Sequence, residues 1–200
     1  MIGFAFSSRD LHVDEVRTLH AWTIPFRVWL KMLLTPNFHL EEFTRTATGL
    51  PNVPNRAERA ALQALATNVL QPLRDSIGKP VYITSGFRSA AVNRAVGGVA
   101  GSQHRSGQAA DIQVEGMSSM ALARRIVELQ LPFDQLIDEF GEWVHVSHAP
   151  QPRRQQLTAV RRAGRTRYLH GLRWVLNAIS LHCPATRNIV ASTPVFTAVL

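Results

Sequence analysis

The chain has 200 residues, 46% of them apolar, enough for one large domain with a sizeable core, which excludes wholesale disorder. Its longest apolar stretches, Trp22–Leu34 (broken by Arg27 and Lys31) and Ile189–Leu200, fall short of the roughly 20 residues of a membrane span, and a lone Cys183 excludes an intramolecular disulfide and a thiolate-rich metal site. The net charge of +8 is asymmetric: all 14 acidic residues lie at or before Glu142, whereas residues 143–200 carry eight arginines and no acid.

Residues 1–36 read as an N-terminal extension. Phe26, Trp29, Leu30, Leu33 and Leu34 recur at helical spacing with Arg27 and Lys31 between them. They suit a helix packed on the domain, a disordered arm or a membrane-surface helix. No secretory signal is evident: the first 20 residues are interrupted by charge and lack a long apolar core. That predicts a protein made in the cytoplasm.

Leu40–Phe43 reads as a helical turn. Asn55 caps a predicted helix over Arg56–Ile77, with Pro72 as a kink or break and Gly78-Lys79-Pro80 as its stop. Val81–Thr84 reads as a strand, Ser89–Val96 as a short helix and Val99–Gly107 as a polar loop. Ala109–Val114 reads as a second strand and Ser118–Leu129 as a second long helix. Gln135–Phe140 and Trp143–Ser147 read as strands joined at Gly141-Glu142, and Thr166–His170 as a final strand. Helices set apart from a run of short strands predict an α+β fold, a small antiparallel or mixed sheet flanked by helices. The predicted organisation is extension 1–36, domain 37–170 and C-terminal extension 171–200.

Chemistry concentrates in two stretches. His104 lies in a polar loop and is followed seven residues later by Asp111, a carboxylate among Ala109, Ala110, Ile112 and Val114. A buried carboxylate needs a partner or a metal. His145 sits in a predicted strand between Val144 and Val146, its ring on the face opposite the valines. His104, Asp111 and His145 together would suit Zn²⁺ with a fourth position left for water. Glu142, three residues before His145, is the candidate general base. Each residue also has an ordinary reading: His104 as a surface histidine, His145 as a satisfied core histidine, Asp111 as a turn cap. His148 points to the other face of a straight strand from His145 and falls outside the ligand set. His12, His20, His39, His170 and His182 also fall outside it.

Thr84-Ser85-Gly86-Phe87-Arg88-Ser89, Asn93, Gly97-Gly98, Ser102-x-His104-x-x-Gly107-x-Ala109-x-Asp111 and Glu142-Trp143-x-His145-x-Ser147 together resemble the zinc D-alanyl-D-alanine carboxypeptidases. That group also holds phage endolysins cutting L-alanyl-D-glutamate and shares its fold with the hedgehog signalling domain. The resemblance covers about residues 37–170. It implies a zinc peptidase of peptidoglycan stem peptides, with His104, Asp111 and His145 as zinc ligands and Glu142 as catalytic base. It further implies Arg88 as the group steadying the developing oxyanion and substrate carbonyl, and Ser102 as a peptide contact. The enzyme would act on the cell wall after release or as part of a phage particle.

Other expectations concern partners. The Arg153–Arg173 run could attract an anionic cell-wall polymer or membrane surface. No nucleic-acid motif is recognised, so no nucleic-acid partner is expected. The chain is expected to be a monomer. A non-catalytic binding module on the same fold is the competing class, and the full set of Arg88, Glu142 and three ligands argues against it.

Overall fold

The computed structural model describes residues 32–173. The expectations for residues 1–31 and 174–200, including His12, His20, His182 and Cys183, lie outside the described residues.

Leu33–Thr35 (β1) and Phe38–His39 (β2) form a small antiparallel hairpin, not the end of a helix. Helical spacing over Phe26–Leu34 misleads at Leu33 and Leu34 because a short apolar run fits either period. Leu34 is buried in the core, and its carbonyl accepts a hydrogen bond from the Gln63 side chain. The packed unit therefore includes residues assigned above to the extension.

Leu40–Thr44 (α1) follows directly. Asn55 caps Arg56–Leu65 (α2), its Oδ1 accepting from the Ala57 and Glu58 amides while Glu58 bonds back to the Asn55 amide. The helix continues through a π turn at Ala66–Leu70 into Gln71–Ile77 (α3). Pro72 explains that widening: it lacks an N–H, its ring would crowd the preceding turn of a regular helix, and the looser turn accommodates both. Gly78 ends the helix in the left-handed conformation.

Val81–Ser85 (β3), Ala109–Val114 (β4), Gln135–Glu139 (β5), Trp143–Ser147 (β6), Gln155–Arg162 (β7) and Arg165–His170 (β8) form one six-stranded sheet in the order β3-β4-β6-β5-β7-β8. All pairs are antiparallel except β5 with β7, so the sheet is mixed. Ala90–Ala95 (α4), capped by Ser89, and Ser119–Glu128 (α5), capped by Ser118, complete the α+β architecture. β7 has no counterpart among the predicted strands. Its polar ends, Gln155-Gln156 and Arg161-Arg162, hide a middle, Leu157–Val160, in which all four residues are buried.

Alternation divides the sheet. Ala110, Ile112, Val144, Val146 and Leu136 are buried in one core cluster with Leu62, Leu65, Val69, Leu73 and Ile126 of the helices. The intervening residues form the opposite face, where Asp111 pairs with His145, which pairs with Ile137. One pair further along, Trp143 is opposite Glu139, which is opposite Ala159, which is opposite Tyr168.

Gly107 shows how tightly the loop before β4 is seated. Its φ is +71°, and a Cβ there would stand 2.4 Å from the Glu58 carbonyl oxygen of α2. Gly107→Ala combines left-handed strain with a clash against backbone, so an expected loss of about 3 kcal/mol should appear as a lowered denaturation midpoint.

Candidate metal centre

Three segments converge on the open face. A single 3₁₀ turn, Gln103–Ser106, carries His104; β4 carries Asp111; β6 carries His145. All three are buried, and one ligand atom from each lies within 4.8 Å of the others. His104 Nε2 is 3.2 Å from His145 Nδ1 and 3.2 Å from Asp111 Oδ1, and His145 Nδ1 is 3.0 Å from Asp111 Oδ1.

The tautomer of His104 follows from its other nitrogen. Nδ1 lies 2.7 Å from the Gly86 carbonyl oxygen, which can only accept, so Nδ1–H donates and Nε2 presents its lone pair to the centre. A lone pair, a second imidazole nitrogen and a carboxylate oxygen crowded around one point call for a cation between them. Two imidazoles and one carboxylate fit Zn²⁺, with three protein ligands and one position to spare. Burial pushes the Asp111 carboxyl up, but in the metal-free protein the hydrogen bonds and positive charge of His104 and His145, when these imidazoles are protonated, outweigh it and hold the group well below the usual carboxylate range.

Arg88 is fixed from two sides. Its Nη2 donates to Asp111 Oδ2 at 2.8 Å and its Nε to Ser85 Oγ at 2.9 Å. Its amide donates to the His104 carbonyl at 3.0 Å, coupling it to the 3₁₀ turn. The loop is pressed against α1: the Phe87 amide donates to Phe43 O, and a Cβ on Gly86 would stand 2.5 Å from that oxygen. Buried Asn52 brackets Arg88, its Nδ2 donating to Phe87 O and Thr44 O while its Oδ1 accepts from the Ser89 amide. Asn52→Ala would strand these buried backbone groups. It should cost about 2 kcal/mol by denaturant melts.

The metal group opens into a cavity of about 480 Å³, lined among others by Arg88, Ser102, Gln103, Glu139, Arg153 and Tyr168. Ser102, predicted as a peptide contact, lines it. Glu142, predicted as the base, does not. It is exposed in the β5–β6 turn, where its carbonyl accepts from Gln113 Nε2. Besides Asp111 of the metal group, the carboxylate that lines the cavity is Glu139. The physical reason is register. Residues two apart on a strand share a face and residues three apart do not, so Trp143, not Glu142, shares the face of His145. The turn then returns the chain so that Glu139 stands opposite Trp143. Phe140 (φ +62°) and Gly141 (φ +75°) are both left-handed there, as a tight hairpin turn requires. Burial pushes the Glu139 carboxyl above the ordinary glutamate range; His145 pulls it down and Asp111 pushes it up.

The sequence does not single out Asp134 or Tyr168, and it marks Arg153 only as the start of a basic run, not as a residue of this cavity. Asp134 is 2% exposed. Its carboxylate accepts from Arg153 Nε and Nη2 and from Gln103 Nε2. The Arg153 hydrogen bonds draw its pKa down to about 2, against the opposing effect of burial. An aspartate between an apolar Phe133 and a strand was the available signal. His148 turns away from the centre, its Nε2 3.3 Å from Asn68 Nδ2, and burial lowers its pKa.

Comparison with known proteins agrees with this geometry. A relative, the zinc D-Ala-D-Ala carboxypeptidase of Streptomyces albus G, is 36% identical over 90 residues, 44% of this chain and 35% of that protein. The match therefore spans about a third of the relative's length. The family model for Peptidase M15 matches residues 36–147, which hold His104, Asp111, His145, Arg88 and Glu139. The chain belongs to the Peptidase M15 family.

Proposed function

We propose that this protein is a zinc peptidase that hydrolyses peptidoglycan stem peptides, of the D-alanyl-D-alanine carboxypeptidase type. The observation that carries the reading is the convergence of His104 Nε2, Asp111 Oδ1 and His145 Nδ1 at the wall of a cavity that also holds Arg88 and Glu139. The name of the Streptomyces albus G relative supports the metal and the substrate class.

His104, Asp111 and His145 would hold Zn²⁺, which supplies Lewis acidity toward a peptide carbonyl. The chain's own residues do the rest. Glu139, with its proton affinity raised by burial, accepts the proton of the attacking water and delivers it to the leaving amine. Arg88 is held by Asp111 and Ser85, so its guanidinium meets the developing oxyanion with little reorganisation. Ser102 lines the same cavity and is placed to contact a peptide held there.

The test is mass spectrometry of purified peptidoglycan digested by zinc-loaded protein, with a chelated control. Loss of single D-alanine residues is the expected result. New N-terminal D-glutamate or D-isoglutamine ends would replace the carboxypeptidase type with an endopeptidase cutting L-alanyl-D-glutamate. Absence of any chelator-sensitive product, with zinc shown to be bound, would overturn the peptidoglycan reading.

A further inference from the structure

We propose that Arg153 receives the free terminal carboxylate of the substrate peptide and so selects which end of a peptide enters the cavity. This rests on the peptidase reading above and adds a residue that the family match, ending at 147, does not reach.

Three observations carry it. First, Arg153 lines the cavity together with Arg88, Glu139 and Tyr168, and its side chain is 58% exposed there. Second, it is held in one place. Asp134, whose side chain is 3% exposed, accepts from Arg153 Nε at 3.0 Å, from Nη2 at 2.6 Å and from the Arg153 amide at 2.8 Å. That engages one edge of the guanidinium. Its Nη1 has no hydrogen-bond partner among the described residues. A guanidinium fastened by one edge can still offer the other to a planar carboxylate, and little side-chain freedom is left to lose on binding. Third, the same Asp134 carboxylate takes Gln103 Nε2 at 2.8 Å. Gln103 is the neighbour of the metal-group residue His104, so one buried carboxylate ties Arg153 to the turn that carries the centre. The separation between the carboxylate-binding group and the reacting bond is thereby set by the fold.

Arg88 is fastened through the same two nitrogens, but by Asp111 and Ser85 beside the centre, where it is assigned to the developing oxyanion rather than to the far end of the peptide. A lysine at 153 would lack the second edge. Tyr168 stands across Ala159 from Glu139 and lines the same cavity, so the β7–β8 hairpin supplies a wall and the segment leading into it supplies the charge.

The experiment uses the zinc-loaded full chain and two probes, the reduced-bond analogue of acyl-D-alanyl-D-alanine with a free C-terminus and the same analogue as its C-terminal amide. Calorimetry should give tighter binding of the free acid by about tenfold or more, the scale of a charge-assisted hydrogen bond. R153Q should bring the ratio close to one. With cleavable peptide, R153Q should raise KM while sparing kcat. A residue that only supported the fold would not move the acid-to-amide ratio. R153Q keeps the backbone bond to Asp134; if it nevertheless fails to fold, R153M repeats the test with a stem of similar length. A wild-type ratio near one, or a ratio unchanged in the folded variant, overturns the assignment of Arg153. Binding of neither analogue by the zinc-loaded wild type overturns the stem-peptide reading and this assignment with it.

Discussion

Glu139→Gln is expected to lower kcat by about a hundredfold to ten-thousandfold with zinc still bound, whereas Glu142→Gln should leave turnover close to wild type. The two residues are three apart and both acidic, so charge alone does not separate them. Geometry does. Glu139 lines the cavity and is opposite Trp143, two residues before His145 on the same face of the sheet. Glu142 is exposed in the turn and lies outside the cavity lining. Environment points the same way. Burial raises the proton affinity of Glu139 above that of an ordinary glutamate, which favours it as the proton acceptor. The glutamine variant keeps the size of the side chain and removes only its ability to carry the proton. Metal content measured by elemental analysis separates a lost base from a lost centre. An inactive Glu142→Gln beside an active Glu139→Gln would return the role to the turn and show that the loop rearranges when substrate binds.

The same pair of residues marks how far the amino-acid sequence alone is legible. The ligand set lies within that reach, because His104, Asp111 and His145 each break a local pattern: a histidine before a glycine turn, a carboxylate inside an apolar strand, a histidine between valines. The helices with side-chain caps are legible for a related reason, since Asn55, Ser89 and Ser118 act through bonds to residues two or three away. What depends on pairing between strands is not. The Glu139 position follows from the turn at Phe140-Gly141 and the register behind it, and motif spacing from His145 counts through that turn as if it were straight. β7 is hidden because its buried centre is only four residues long and its flanks are polar. The cavity-facing side of this region arises from the parallel pairing of β5 with β7, a non-local contact, which brings Tyr168 and Arg153 to the cavity. The π turn at Ala66–Leu70 is a further case: Pro72 announces a disturbance in the helix, but the choice between a kink and a widened turn belongs to packing, with Ala66, Val69 and Leu70 all fully buried.

Asp111→Asn should separate the metal from the fold. Asp111 is the one group in the centre that touches every other element of it: His104 and His145 through Oδ1, Arg88 through Oδ2. In the metal-free protein, loss of its charge leaves Arg88 without its ionic partner. Breaking a fully buried pair costs about 3–5 kcal/mol. Arg88 is 20% exposed and keeps Ser85, so the cost here should be smaller, about 2 kcal/mol. The larger effect is on metal. An amide oxygen is a weaker ligand than a carboxylate, and the affinity for Zn²⁺ should fall by at least about a hundredfold. Binding that favours the folded state raises its stability by RT ln(1 + [L]/Kd), about 4 kcal/mol at a thousandfold excess over Kd. The wild type should therefore show a large rise in Tm on adding Zn²⁺ and lose it on adding a chelator. Asp111→Asn should melt slightly lower than chelated wild type and barely respond to Zn²⁺. A variant whose Zn²⁺-induced rise in Tm matched the wild type would mean that Asp111 serves Arg88 and the two imidazoles without ligating the metal, and the donor set would have to be redrawn around His104 and His145.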